Sequence, residues 1–179
     1  MLIRSINWII TYRCNCKCIH CDIWKLKGSP TITVGEARNI LFSPLVMESY
    51  KKYREKFDIS LGGGEPFLVP HLQNIVDMIE EVYPGAFKCI TTNGLNTSRI
   101  LTFVKHNKNL KYKINISIDG VGNTHDFIRG VEGSFKRVLH TISEIKKISP
   151  TQKIEIKLTL IQKNFDQILK VYNLSERLG

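Results

Sequence analysis

Short apolar runs recur along the chain at 6–11, 57–61, 87–91, 113–118 and 154–160. Bounded by turn residues, they predict β-strands. Between them apolar positions return every three or four residues. Leu72, Ile75, Val76, Ile79 and Val82 share one helical face, and Phe135, Val138, Leu139, Ile142 and Ile145 share another. Thr33 and Glu36 have the spacing of a capping box. Pro70 is expected in the first turn of its helix, and Ser134 at an N-cap. Alternating strands and helices predict an α/β fold with parallel strands and crossover connections. In such sheets ligands gather at the carboxyl ends of the strands.

The last run departs from the others. Ile154, Ile156, Leu158 and Leu160 alternate with Glu155, Lys157 and Thr159. A parallel strand buried on both sides reads apolar throughout, so a polar face here predicts a polar cavity beside the sheet. The chain then continues through a helix expected to end at Gly179.

At 179 residues the length fits one domain with a sizeable core. No run approaches the roughly 18 apolar residues of a membrane span. The N-terminal segment is too short and polar for a signal peptide. These features place the protein in the cytoplasm, without a membrane partner. The net charge is +10, yet the lysines form no stripe interleaved with aromatics. They read as solvated helix faces rather than a nucleic-acid surface, and their field favours an anionic substrate only weakly.

Four of the five cysteines crowd into residues 14–21, a spacing that suits ligands better than disulfides. Cys14, Cys18 and Cys21 form a C-x3-C-x2-C run just after the first predicted strand. Three thiolates on one loop can hold three irons of a cubic cluster and leave the fourth iron open. The alternative is a zinc site drawn from Cys14, Cys16, Cys18, Cys21 and His20, a cramped arrangement for tetrahedral zinc. Cys16 lies outside the three-ligand pattern and reads as a bystander. Cys89 reads as a small buried hydrophobe. "GGGEP" at 62–66, "TTNG" at 91–94 and "SIDG" at 117–120 each follow or end a predicted strand.

The cysteine run with these three motifs, in this order, resembles the radical S-adenosylmethionine (radical SAM) superfamily. It is most similar to the branch of SPASM-type peptide-modifying enzymes and molybdenum-cofactor cyclases. The resemblance implies a partial (β/α)6 barrel, here lacking its sixth strand. Residues 1–179 would then be one core domain, C-terminally truncated or a fragment, with an exposed edge strand and poorly coupled turnover. It implies two cofactors: a [4Fe–4S] cluster on Cys14, Cys18 and Cys21, and S-adenosylmethionine on the open iron. Reductive cleavage of the latter would drive hydrogen abstraction from a peptide or protein substrate. Two alternatives are a cyclase acting on a nucleotide-like small molecule and a non-catalytic cluster-binding remnant. A low-potential donor such as flavodoxin or ferredoxin would supply the electron. His20 corresponds to a residue beside the adenine. Gly63, Gly64 and Glu65 would meet the cofactor's ammonium group, with Thr92 and Asn93 facing the pocket. Ser117 matches a residue that hydrogen-bonds the cofactor, and Arg129 one that pairs with its carboxylate. Lys157 matches a substrate-contacting lysine of the cyclases, but Thr159 stands where they carry asparagine.

Overall fold

The computed structural model describes residues 2–28 and 30–179. Five strands, β1 (Ser5–Thr11), β2 (Asp58–Gly63), β3 (Phe87–Thr92), β4 (Lys113–Ser117) and β5 (Lys153–Lys157), form one sheet in the order 1-2-3-4-5. Every neighbouring pair is parallel. The connections carry helices α1 (Val34–Leu41), α2 (Pro44–Tyr53), α3 (Leu72–Val82), α4 (Thr97–His106), α5 (Asn123–Arg129) and α6 (Ser134–Ile148). A last helix, α7 (Ile168–Leu178), follows β5. This is the expected α/β partial barrel, without a sixth strand among the described residues. None of its described helices is long and apolar enough to cross a membrane.

Strand pleating sends alternate side chains to opposite faces. Ile59 and Leu61 of β2, Ile90 of β3, and Ile114 and Ile116 of β4 point to the helix-covered side and join one core with Ile75, Ile79, Ile100, Val138 and Ile142. Two aromatic groups fill its ends. Tyr50, Phe57 and Tyr83 pack with centroids 4.9–5.9 Å apart. Phe103 meets Phe67 and Tyr112 edge to face at 5.4 and 5.6 Å. On β5 the expected alternation holds: Ile154 and Ile156 pack against the core, while Lys153, Glu155 and Lys157 are exposed.

Several local expectations need correction. β5 ends at Lys157 rather than 160, because the Thr159 amide leaves the ladder and donates to Asp119 Oδ1 at 2.8 Å. Pro70 lies two residues before α3, whose N-cap is His71. Ser134 is the first residue of α6 and Gly133 its N-cap. The acceptor there is Asp126, from α5, which takes Gly133 N at 2.7 Å, Phe135 N at 2.7 Å and Ser134 Oγ at 2.8 Å. A carboxylate from the preceding helix thus replaces the local cap. Cys89 is half-buried, on the polar face, because its place in β3 is opposite in sense to that of Ile90. The capping box at Thr33 and Glu36 and the C-cap at Gly179 form as expected.

Candidate functional site

The cysteine loop leaves β1 without regular secondary structure and is held from two sides. On one side is the glycine turn after β2. Gly64 N donates to Thr11 O at 2.7 Å, and Glu65 N donates to Arg13 O at 2.8 Å. The approach explains the glycines. A Cβ on Gly64 would lie 2.2 Å from Arg13 O, and one on Gly63, where φ is +123°, would lie 2.4 Å from Thr11 O. Gly62, by contrast, faces open space. On the other side is the end of α5. Lys17 N donates to Arg129 O and Ile19 N to Ile128 O, both at 2.9 Å. Gly130 permits that contact, since a Cβ there would lie 2.5 Å from Lys17 O.

Glu65 ties these parts together. It is fully buried and accepts from Thr92 Oγ1 at 2.8 Å, Asn93 N at 2.8 Å and Phe67 N at 3.1 Å. Burial pushes its carboxyl above the usual range, while these hydrogen bonds and Arg129 oppose the shift. Asn93 then reaches the cysteine loop, donating from Nδ2 to Asn15 Oδ1 at 2.7 Å. The groups of Thr92 and Asn93 are therefore engaged in building the site.

Within the loop, Cys18 is buried and Cys14 and Cys21 are half-buried. Cys16 is not outside the site: its amide donates to Cys14 Sγ at 3.4 Å. Its thiol is held strongly toward the protonated form, as donor to the sulfurs of Cys14 and Cys18. Those bonds lower the Cys14 pKa, and they bring that of Cys18 to about 6 with help from Arg129 and His20 against burial. Among the described residues no three His, Cys, Asp or Glu side chains converge as ligands of a single metal ion do. A cluster spreads its ligands over separate irons, and three thiols on a pinned loop, with N–H donors at the sulfurs, fit that requirement.

Arg129 is 8% exposed. Its Nη1 donates to Cys18 Sγ at 3.6 Å, and its Nη2 pairs with Asp119 Oδ2 at 2.9 Å. Its Nε is buried without a partner among the described residues, as is His20 Nδ1. Ser117, half-buried, ends β4 in register with Lys157 of β5. With its amide turned to satisfy both neighbours, Asn115 accepts from Lys157 Nζ at 3.2 Å and donates to Glu155 Oε2 at 3.1 Å.

Sequence reading missed three contributors. Asn15 carries no motif signal. Asp119, inside "SIDG", drew no role of its own, yet it is wholly buried and joins β4, α5 and the segment after β5. His125 is buried beneath it and accepts from Asp119 N at Nδ1, 3.1 Å away. An acid in "SIDG" marks Asp119 by type alone, and no local signal marks His125.

A cysteine loop at the carboxyl ends of a parallel sheet, closed by a glycine turn, defines a class. The radical SAM superfamily model matches residues 8–174, and the chain belongs to that superfamily. Members of the family use a [4Fe–4S] cluster and S-adenosylmethionine. Among particular relatives, the AdoMet-dependent heme synthase of Methanosarcina barkeri (strain Fusaro / DSM 804) is 29% identical, over 98% of this chain and 48% of the relative. The sporulation killing factor maturation protein SkfB of Bacillus subtilis (strain 168) is 28% identical, over 90% of this chain and 37% of its own length. Among solved structures, Streptococcus suis SuiB bound to S-adenosylmethionine aligns with a TM-score of 0.73 at 14% identity, covering 99% of this chain and 39% of SuiB. The chain thus spans less than half the length of these relatives.

Proposed function

We propose that this chain forms the core of a radical SAM enzyme that abstracts hydrogen from a peptide or protein substrate. One observation carries the reading: the Cys14–Cys21 loop is pinned at the strand ends, beside an open polar sheet face. Cys14, Cys18 and Cys21 would hold the cluster. Bound there, the cluster and S-adenosylmethionine supply one-electron cleavage of a carbon–sulfur bond and the hydrogen abstraction it permits.

The chain's own residues bind and orient. Gly63 and Gly64 bring backbone close to the cysteine loop, leaving carbonyls and the Glu65 carboxylate to favour the cofactor's ammonium group. Thr92 and Asn93 hold Glu65 in place. Ser117 offers a hydroxyl, Arg129 an unpartnered Nε–H suited to a carboxylate, and His20 an unpartnered ring nitrogen. Lys157 stands on the polar face for substrate. We assign residues 1–179 to one domain, and electron supply to an external flavodoxin or ferredoxin.

The substrate reading draws on relatives named as maturases, SkfB among them, and on SuiB, solved bound to its precursor peptide SuiA. A cavity of about 730 Å³ opens at the starts of β3, β4 and β5, at the opposite ends of the strands from the cysteine loop. Lys88, Lys108, Lys111, Lys113 and Lys153 line it against a single acid, Glu155. Such a surface attracts anions, but it stands away from the cysteine loop, so the substrate reading does not rest on it. A small molecule is the second reading, favoured by the relative named as a heme synthase.

Anaerobic reconstitution with iron and sulfide tests the proposal. One cluster per chain is expected, with 5′-deoxyadenosine formed on reduction in the presence of S-adenosylmethionine. Cys14→Ala, Cys18→Ala or Cys21→Ala should abolish loading, and Cys16→Ala should not. Stoichiometric zinc without iron would overturn the reading.

A further inference from the structure

Asp119 is 0% exposed, the Arg129 beside it is 8% exposed, and Cys18 is 7% exposed. The three form a continuous line. Asp119 Oδ2 lies 2.9 Å from Arg129 Nη2, an ion pair rather than an aligned hydrogen bond, and Arg129 Nη1 lies 3.6 Å from Cys18 Sγ. The Asp119 end is itself immobilised. Its Oδ1 accepts from Thr159 N at 2.8 Å, its carbonyl accepts from Asn164 Nδ2 at 2.9 Å, and its amide donates to His125 Nδ1. A guanidinium is a rigid planar fork, so fixing one nitrogen fixes the direction of the others. A buried arginine without its acid would be an uncompensated charge and would turn away toward water.

We propose that Asp119 is a positioning residue: through the Arg129 fork it holds a cation and an N–H donor against the Cys18 sulfur. The inference rests on the reading of Cys18 as a cluster ligand. Hydrogen bonds and charge at the ligand sulfurs set a cluster's reduction potential. Asp119 thereby links the segment after β5 to the electronic state of the cysteine loop. Asn164 and Thr159 give it the backbone anchorage that a surface carboxylate would lack.

The charges make the test sharp. Arg129→Gln removes a cation beside Cys18 and should lower the midpoint potential of the reconstituted cluster. Asp119→Asn removes an anion while keeping an oxygen for Thr159 N. If Asp119 acted only through its charge, that change would raise the potential. If it positions Arg129, the potential falls as in Arg129→Gln, and the double variant matches Arg129→Gln alone. Midpoints are read by dithionite titration followed by electron paramagnetic resonance. Iron content and far-ultraviolet circular dichroism establish equal loading and folding. Arg129→Lys, which leaves Asp119 and its partners in place, serves should Asp119→Asn not fold. It keeps the charge but loses the fork, and its potential should also fall. A raised potential in Asp119→Asn, or a wild-type potential in Arg129→Lys, overturns the inference and leaves the functional reading standing. A wild-type chain that takes up no iron removes that reading itself.

Discussion

On the helix-covered face of the sheet, Ile59, Leu61, Ile90, Ile114 and Ile116 are at most 1% exposed. On the other face the register brings Asn7, Ser60, Cys89, Lys113 and Lys153 into one row. Adjacent residues of one strand thus belong to different regimes. Burial of apolar surface holds the fold on one side. On the other, polar groups stay near water, where a bound molecule can replace it. Changes on the first face should register as stability, and changes on the second as binding.

The largest expected effect tests neighbours on β4. Ile114→Ala should cost about 3 kcal/mol of unfolding free energy, the transfer loss plus a cavity. Lys113→Ala, one residue away, should stay within about 0.5 kcal/mol, because its pairing with Glu155 is about half exposed. Urea unfolding of the two apo variants measures the difference. Similar losses would mean that the polar face is structural as well.

Acid should strike the buried end of the polar network next. Burial and Arg129 hold the His125 pKa down from 6.5 to about 4, against a small opposing pull from Asp126. The unfolded chain therefore takes up a proton that the folded chain refuses. His125's contribution is fully present above about pH 6.5 and is lost as pH falls toward 4, by about 3 kcal/mol in the limit. His125→Asn keeps an acceptor for the Asp119 amide but does not titrate. The gap in unfolding free energy between wild type and variant should shrink from pH 7.5 to 4.5. A constant gap would mean that His125 is not held neutral.

The positions of the strands along the chain and the cysteine loop were legible because both rest on local signals: apolar runs of strand length, and ligands a few residues apart. The capping of α6 was not. Ser134 has the residue type of an N-cap, but Asp126 from a different helix takes the role. The position of Asp119 was equally hidden, since its partners Arg129 and Thr159 come from separate elements. Gly63 and Gly64 were flagged for ligand contact. The structure gives them a prior duty, the close approach of the cysteine loop.

Asp126→Ala sharpens the contrast between local and borrowed caps. It would strip the acceptor from two backbone amides and the Ser134 hydroxyl at the start of α6. The expected cost is about 1–2 kcal/mol, the range for losing an N-cap. Ser134→Ala, which removes only the hydroxyl, should cost less. Thermal melts of the two variants rank them, and a larger loss for Ser134→Ala would restore serine as the principal cap.

The smallest effect separates two hydroxyls at the ends of adjacent strands. Thr92 ends β3 with both roles used, donating to Glu65 Oε1 at 2.8 Å and accepting from Gly94 N at 3.0 Å. Ser117 ends β4 half-buried, with no hydrogen bond to its hydroxyl among the described residues. Thr92→Val should therefore destabilise the apo chain by about 1–2 kcal/mol, because it leaves Glu65 short of a donor in a buried site. Ser117→Ala should leave apo stability within about 0.5 kcal/mol. If Ser117 hydrogen-bonds the cofactor, the variant should weaken S-adenosylmethionine binding to the cluster-loaded chain by about 1 kcal/mol, roughly fivefold. Calorimetric titration reads the second quantity and urea unfolding the first. Unchanged affinity with lost stability in Ser117→Ala would place this hydroxyl with Thr92, as part of the scaffold.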